Sequence, residues 1–138
     1  MGLRSNAKVA LISNVPLFAG CSKRELALVA GIADEIAQPA GTVLTAEGKA
    51  GREFCILISG GAEVRQRTKL LRLLSTGDFF GEIALILDAP RSATVTATSE
   101  VRLLVIDQNA FRRLLRESPS IQGKVLEALA VRLADESL

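Results

Sequence analysis

The hydrophobic period along this chain changes twice and divides it into three stretches. From Leu3 to Ile12 the apolar positions predict a short helix, closed by a corner at Asn14-Val15-Pro16-Leu17-Phe18. Ser22 opens a capping box with Glu25, and Leu26, Val29, Ala30 and Ala33 follow at helical spacing, so a second helix is expected over about Lys23–Ala33. From Asp34 the period shortens. Pro39-Ala40-Gly41 reads as a turn, Thr42–Thr45 as a short strand, Glu47–Gly51 as a loop and Phe54–Ile58 as a compact apolar strand. After the turn at Ser59-Gly60-Gly61 the chain returns. Ala62, Val64 and Gln66 share one face there, and Glu63, Arg65 and Arg67 the other. Leu70–Leu74, Ala93–Thr98 and Val101–Ile106 supply further strands, a rhythm that argues for a sandwich or jelly-roll barrel.

The last stretch is helical again. Asp107 is placed to cap a helix carrying Phe111, Leu114 and Leu115, and Ser118-Pro119 restarts the chain as cap and first helical residue. Ile121, Val125, Leu129 and Leu133 continue one apolar stripe to about Ala134. The expected fold is mainly β with flanking helices: a jelly-roll β-barrel with N-terminal and C-terminal α-helices. We read residues 1–138 as a single domain, with a helical segment over 1–34, a barrel over 35–106 and helices over 107–138.

One segment, Gly77–Val95, breaks the strand rhythm and carries the candidate chemistry. Gly81 precedes a short helix-like run, and a glycine there lets backbone N–H groups approach an anion closely. Arg91 offers a planar fork that matches two phosphate oxygens. Glu82 is misplaced beside a phosphate unless another part of the ligand donates to it, as a sugar hydroxyl does. The three together describe a sugar phosphate.

The sixteen residues FGEIALILDAPRSATV, Phe80–Val95, resemble the phosphate-binding cassette of the cyclic nucleotide-binding domains. Glu82 and Arg91 keep the family's nine-position interval, and Gly81, Ala84 and Ala93 fall where it has small residues. The resemblance implies a cassette over 80–93 in which Gly81, Glu82, Ile83, Ala84, Arg91, Ser92 and Ala93 bind the ligand. Glu82 would accept from the ribose 2′-hydroxyl, and Arg91 and the Ser92 backbone would hold the phosphate. Counted back from the cassette, Val64 and Leu71 are the candidates for the apolar wall behind the base. Ser92 leans the ligand toward cyclic AMP over cyclic GMP, although a hydroxyl donates and accepts alike. The resemblance further implies a non-enzymatic sensor that passes ligand binding through its C-terminal helices to an effector. Too few residues follow Ile106 for a helix-turn-helix domain, so direct nucleic-acid binding is not expected and the effector is unknown. A ligand-free interaction or scaffold domain is the alternative, and homo-oligomerisation stays open.

Composition trims the list further. A net charge of +2 argues for neither nucleic acid nor a membrane surface, and no apolar run has the length of a membrane span. The chain has no histidine, which removes histidine bases and the histidine metal sites of jelly-roll enzymes, so neither a metal nor a cofactor is expected. Cys21 and Cys55 have no paired spacing and fit a reduced, cytoplasmic protein.

Overall fold

The computed structural model describes residues 2–137. Eight strands are found among the described residues: β1 Ala33–Gln38, β2 Val43–Thr45, β3 Glu53–Ser59, β4 Ala62–Gln66, β5 Lys69–Leu74, β6 Phe79–Phe80, β7 Thr94–Ala97 and β8 Val101–Asp107. They pair antiparallel in two four-stranded sheets, ordered β1-β8-β3-β6 and β2-β7-β4-β5. The jelly roll is therefore two open sheets rather than a closed ring. The chain changes sheets at a glycine corner, where Gly61 N donates to Ser99 Oγ (3.0 Å) and Thr98 N donates to Gly61 O (3.0 Å). These bonds lock the β3–β4 and β7–β8 crossings together, which ends strand pairing instead of extending it. Gly60 sits in the left-handed region at φ 90°, and a Cβ there would collide with Glu100 O.

Strand alternation fills the space between the sheets. Cys55, Leu57, Phe80, Leu103 and Val105 from one sheet meet Ala62, Val64, Leu74, Val95 and Ala97 from the other. Two strands have no clear sequence signal. β1 reads ADEIAQ, and its only large apolar residue, Ile36, is exposed, so its register with β8 supplies what alternation does not. β6 is two residues long and is held by Cys55 and Ile56.

Contacts divide the chain into two compact units, Ala33–Gln108 and the helical segments that precede and follow it. The helices are α1 Ser5–Ser13, α2 Lys23–Gly31, α3 Gln108–Glu117 and α4 Pro119–Ser137. The capping box at the start of α2 forms as its sequence predicts, with Ser22 Oγ accepting from Glu25 N and Glu25 Oε1 accepting from Ser22 N. α2 stops two residues short of the expected Ala33, because Ala33 already pairs with Ile106. Asp107 closes β8, and α3 follows it directly. Within the helical unit Phe18 meets Phe111 edge to face at 5.8 Å. On the α4 stripe Ile121 and Val125 are buried and Leu129 is half-buried, while the side chain of Leu133 lies outside the described residues.

Candidate functional site

The segment between β6 and β7 leaves the sheets and folds over one end of the β unit. Gly81, at φ 80°, turns the chain out of β6, and Glu82–Leu85 form a single 3-10 turn. Ala84 and Leu85 bury themselves, which turns Glu82 inward as well, to 7% exposure. Gln108, the first residue of α3, pins this turn from behind. Its buried Nε2 donates to Ala84 O (2.7 Å) and Asp88 Oδ1 (2.9 Å), while its backbone N–H donates to Arg52 O (2.8 Å).

The loop that carries Arg91 is fixed by a second set of backbone bonds. Arg91 N donates to Lys49 O (2.9 Å), and Gly48 N donates to Arg91 O (2.8 Å). Its guanidinium then lies between two glycines. A Cβ on Gly51 would overlap Arg91 Nε, and a Cβ on Gly81 would overlap Arg91 Nη1 and the carbonyl of Glu53. Nη2 donates to Glu53 O at 2.5 Å, whereas Nε is buried with no hydrogen-bond partner among the described residues. A buried guanidinium donor without an acceptor is costly, and an anion in front of it would remove the cost.

In front of these groups lies a cavity of about 530 Å³, a size that suits a small-molecule ligand. Gly81, Glu82, Ile83, Ala84, Arg91, Ser92, Ala93 and Val64 all line it, so the structure brings eight of the nine sequence candidates together. Leu71 is not among the lining residues. A bulge between Val64 and Arg65 shifts the β4–β5 register, so Arg72 rather than Leu71 stands opposite Val64, and Leu71 is exposed. The position expected to hold an apolar wall thus holds a guanidinium, whose Nη2 reaches Phe79 O at 3.4 Å. Gly51 and Gln108 also escaped the sequence reading. Their roles depend on contacts with residues 40 and 24 positions away, and no local pattern marks them.

The candidates differ in exposure. Ser92 is exposed, and its carbonyl accepts from Gln66 Nε2 at 3.3 Å, which ties the cassette to the end of β4. Ile83 is 49% exposed although it lines the cavity, while Val64 is buried. Cys55 lies behind the site, and burial, with Glu53 as a smaller cause, pushes its thiol up to about 12. It packs in the core between the two sheets. Among the described residues no group of three or more Cys, Asp or Glu side chains could hold a metal ion, and no helix is long and apolar enough to cross a membrane.

The cyclic nucleotide-binding domain family matches residues 36–118. A cAMP-dependent protein kinase regulatory subunit of Pyricularia oryzae is 36% identical over 106 residues, which cover 75% of this chain and 27% of that protein. The chain thus spans about a quarter of the length of the curated relatives it matches. Among solved structures, the N-terminal domain of a transcriptional regulator from Streptomyces coelicolor A3(2) superposes with a TM-score of 0.85 at 26% identity, covering 92% of each chain. The cAMP-bound PfPKA-R fragment 141–441 superposes at 0.70 with 28% identity, covering 91% of this chain and 47% of that one. The matched segment contains the whole cassette and every residue that lines the cavity, and it exceeds half the sequence. The chain belongs to the cyclic nucleotide-binding domain family.

Proposed function

We propose that this chain is a non-catalytic sensor that binds cyclic AMP in preference to cyclic GMP and regulates an effector in a longer protein or assembly. The observation that carries the reading is Arg91, which lines a cavity together with Glu82, its guanidinium held between Gly51 and Gly81 and its Nε buried and unpartnered. A cyclic phosphate supplies the missing acceptor, and its ribose 2′-hydroxyl supplies a donor for the Glu82 carboxylate. Gly81, Ile83, Ala84, Ser92 and Ala93 would shape the phosphate end, with Val64 under the base. The preference for cyclic AMP is supported by the kinase regulatory subunits among the relatives and by the cAMP bound to PfPKA-R. Arg72 makes cyclic GMP the informative comparator, because a guanidinium donates to O6 and N7 of guanine but only to N7 of adenine. Free Cys21 and Cys55 fit a reducing, cytoplasmic setting.

In this reading residues 1–138 act as one regulatory module, and α3 carries the response. Gln108, the last residue of the β unit, is bonded to Ala84 O and Asp88 Oδ1, so a cassette that tightens on a phosphate would pull on those bonds. A second arrangement favoured by the ligand would make this a ligand-biased element. Amide exchange across residues 107–134 should slow on saturation with ligand, and identical protection with and without it would remove the transmission step.

The reading itself is tested by calorimetric titration with cyclic AMP, cyclic GMP and linear 5′-AMP. Saturable binding of a cyclic form, absent for 5′-AMP, is expected, with cyclic AMP the tighter. Absence of heat with every nucleotide, together with an unchanged melting temperature, would leave a ligand-free interaction domain instead.

A further inference from the structure

Among the described residues, two buried side-chain polar atoms lack a hydrogen-bond partner, and both belong to residues lining the same cavity. One is Arg91 Nε and the other is the hydroxyl of Thr45, to which neither the sequence pattern nor the family resemblance gives a role. The neighbouring threonine hydroxyls are occupied. Thr42 Oγ1 donates to Pro39 O (2.8 Å), and Thr94 Oγ1 accepts from Glu47 N (2.9 Å).

Simple alternation along β2 would turn Thr45 to the same side as Val43, which is 55% exposed. The register shows why it does not. Val43 faces Thr96 and Thr45 faces Val95, so Leu44 is an extra residue in a bulge, and the bulge rotates Thr45 inward. Thr45 then joins one rung across the whole sheet, Thr45–Val95–Val64–Arg72, and all four residues line the cavity. The rung is apolar in the middle and polar at both ends. Its threonine end belongs to the arginine side of the site, since the loop that leaves Thr45 is bonded through Gly48 and Lys49 to the backbone of Arg91. A bulge that turns a hydroxyl inward and leaves it unpaired loses hydrogen bonding on both counts unless something else accepts from that hydroxyl.

We propose that Thr45 is a ligand-contacting residue whose hydroxyl donates to the phosphate end of the nucleotide, a contact that rests on the sensor reading above. The Thr45 hydroxyl is buried, so the contact requires a rotation about the Cα–Cβ bond that brings the hydroxyl to the cavity, a change that needs no backbone movement. Thr45 and Arg91 then supply donors to the same end of the ligand from two segments that are joined by the Gly48 and Lys49 backbone bonds.

The test compares Thr45→Val, which keeps the branched shape and removes the hydroxyl, with Thr45→Ser, which keeps the hydroxyl. Affinities for cyclic AMP and cyclic GMP are measured by calorimetry, beside the melting temperature of each ligand-free protein. Thr45→Val should weaken both nucleotides by a similar factor, about 10- to 100-fold for a bond to a charged group, while Thr45→Ser stays within about threefold of wild type. The ligand-free Thr45→Val protein should melt no lower than wild type, because an unpaired buried hydroxyl has been removed. Unchanged affinity in Thr45→Val would overturn the contact while wild-type binding still upholds the sensor reading. A loss confined to one nucleotide would move the contact to the base and overturn the phosphate assignment. A loss of affinity that accompanies a lowered melting temperature would make Thr45 structural. Wild-type protein that binds neither nucleotide would bring down the sensor reading and this contact together.

Discussion

Two charged groups in this molecule, one buried and one partly buried, are treated in opposite ways. In the helical unit, the carboxylate of Glu25 is 8% exposed and saturated. It accepts from Ser22 N (2.8 Å), from Ser120 Oγ (2.6 Å) and from Lys124 Nζ. In the β unit, the guanidinium of Arg91 spends one nitrogen on Glu53 O and leaves Nε buried and unanswered. A saturated charge joins three parts of its own unit, the start of α2 and two residues of α4, and stabilises that arrangement. An unsaturated one costs stability in isolation, and the fold tolerates it where a ligand completes it. On the function proposed above, this contrast would separate scaffold from site.

The sharpest way to break that contrast is to remove Arg91. Arg91→Ala should weaken cyclic nucleotide binding by about 30- to several thousand-fold in a calorimetric titration, as expected when one partner of a desolvated charged contact is lost. The ligand-free melting temperature should move by less than about 5 °C, because the side chain contributes little to its own unit. Normal binding by this variant would mean that the unanswered nitrogen is not waiting for a phosphate. Glu82→Ala comes next, with a loss of about 10- to 100-fold for a hydrogen bond from a hydroxyl to a carboxylate. A 2′-deoxy nucleotide should lose comparable affinity on the wild type and nothing further on the variant, and additive losses would detach Glu82 from the ribose.

Gly81→Ala probes how the arginine is held. The new Cβ meets the Glu53 carbonyl at 2.7 Å, and backbone cannot swing aside as a side chain does. The φ of 80° adds strain for any residue with a Cβ. Thermal unfolding should show a loss of about 1–3 kcal/mol, accompanied by weaker nucleotide binding as Arg91 is displaced. Wild-type stability and affinity together would show that the glycine is not required for the approach.

The same accounting explains what the sequence could disclose. The cassette is legible because its glycine, carboxylate and arginine lie within one contiguous run, where spacing alone fixes their relation. The strands β3, β4 and β8 are legible because they alternate or form apolar runs, and the α2 cap because a serine and a glutamate three apart are its whole mechanism. Thr45 and Arg72 are not legible in this way. A bulge reverses the face that alternation assigns to Thr45, and a second bulge puts Arg72 rather than Leu71 opposite Val64 when positions are counted from the hairpin turn. Leu71 was the expected wall for that reason, one residue from the side chain that lines the cavity. Gly51 and Gln108 act only through partners distant in sequence. The sandwich or jelly-roll packing is legible in the strand rhythm, but the corner bonds that Gly61 makes with Thr98 and Ser99 are not.

The smallest expected effect tests the saturated half of the contrast. The hydrogen bond from Lys124, followed by those from Ser120 and the Ser22 backbone, lowers the Glu25 carboxyl from an ordinary 4.5 to about 2. A carboxyl whose folded pKa is depressed adds stability that is complete above its unfolded pKa and is lost as pH falls through the folded one. Wild type should therefore melt above Glu25→Gln at neutral pH, and the gap should shrink as pH falls from about 4.5 toward about 2 and vanish below that. Nucleotide affinity should be the same in the two proteins wherever both are folded, since Glu25 belongs to the scaffold. A gap that stays constant with pH would show that the Glu25 side chain contributes through packing and neutral hydrogen bonds. The saturated charge would then hold its unit together no better than an amide does, and the contrast with Arg91 would rest on the cavity alone.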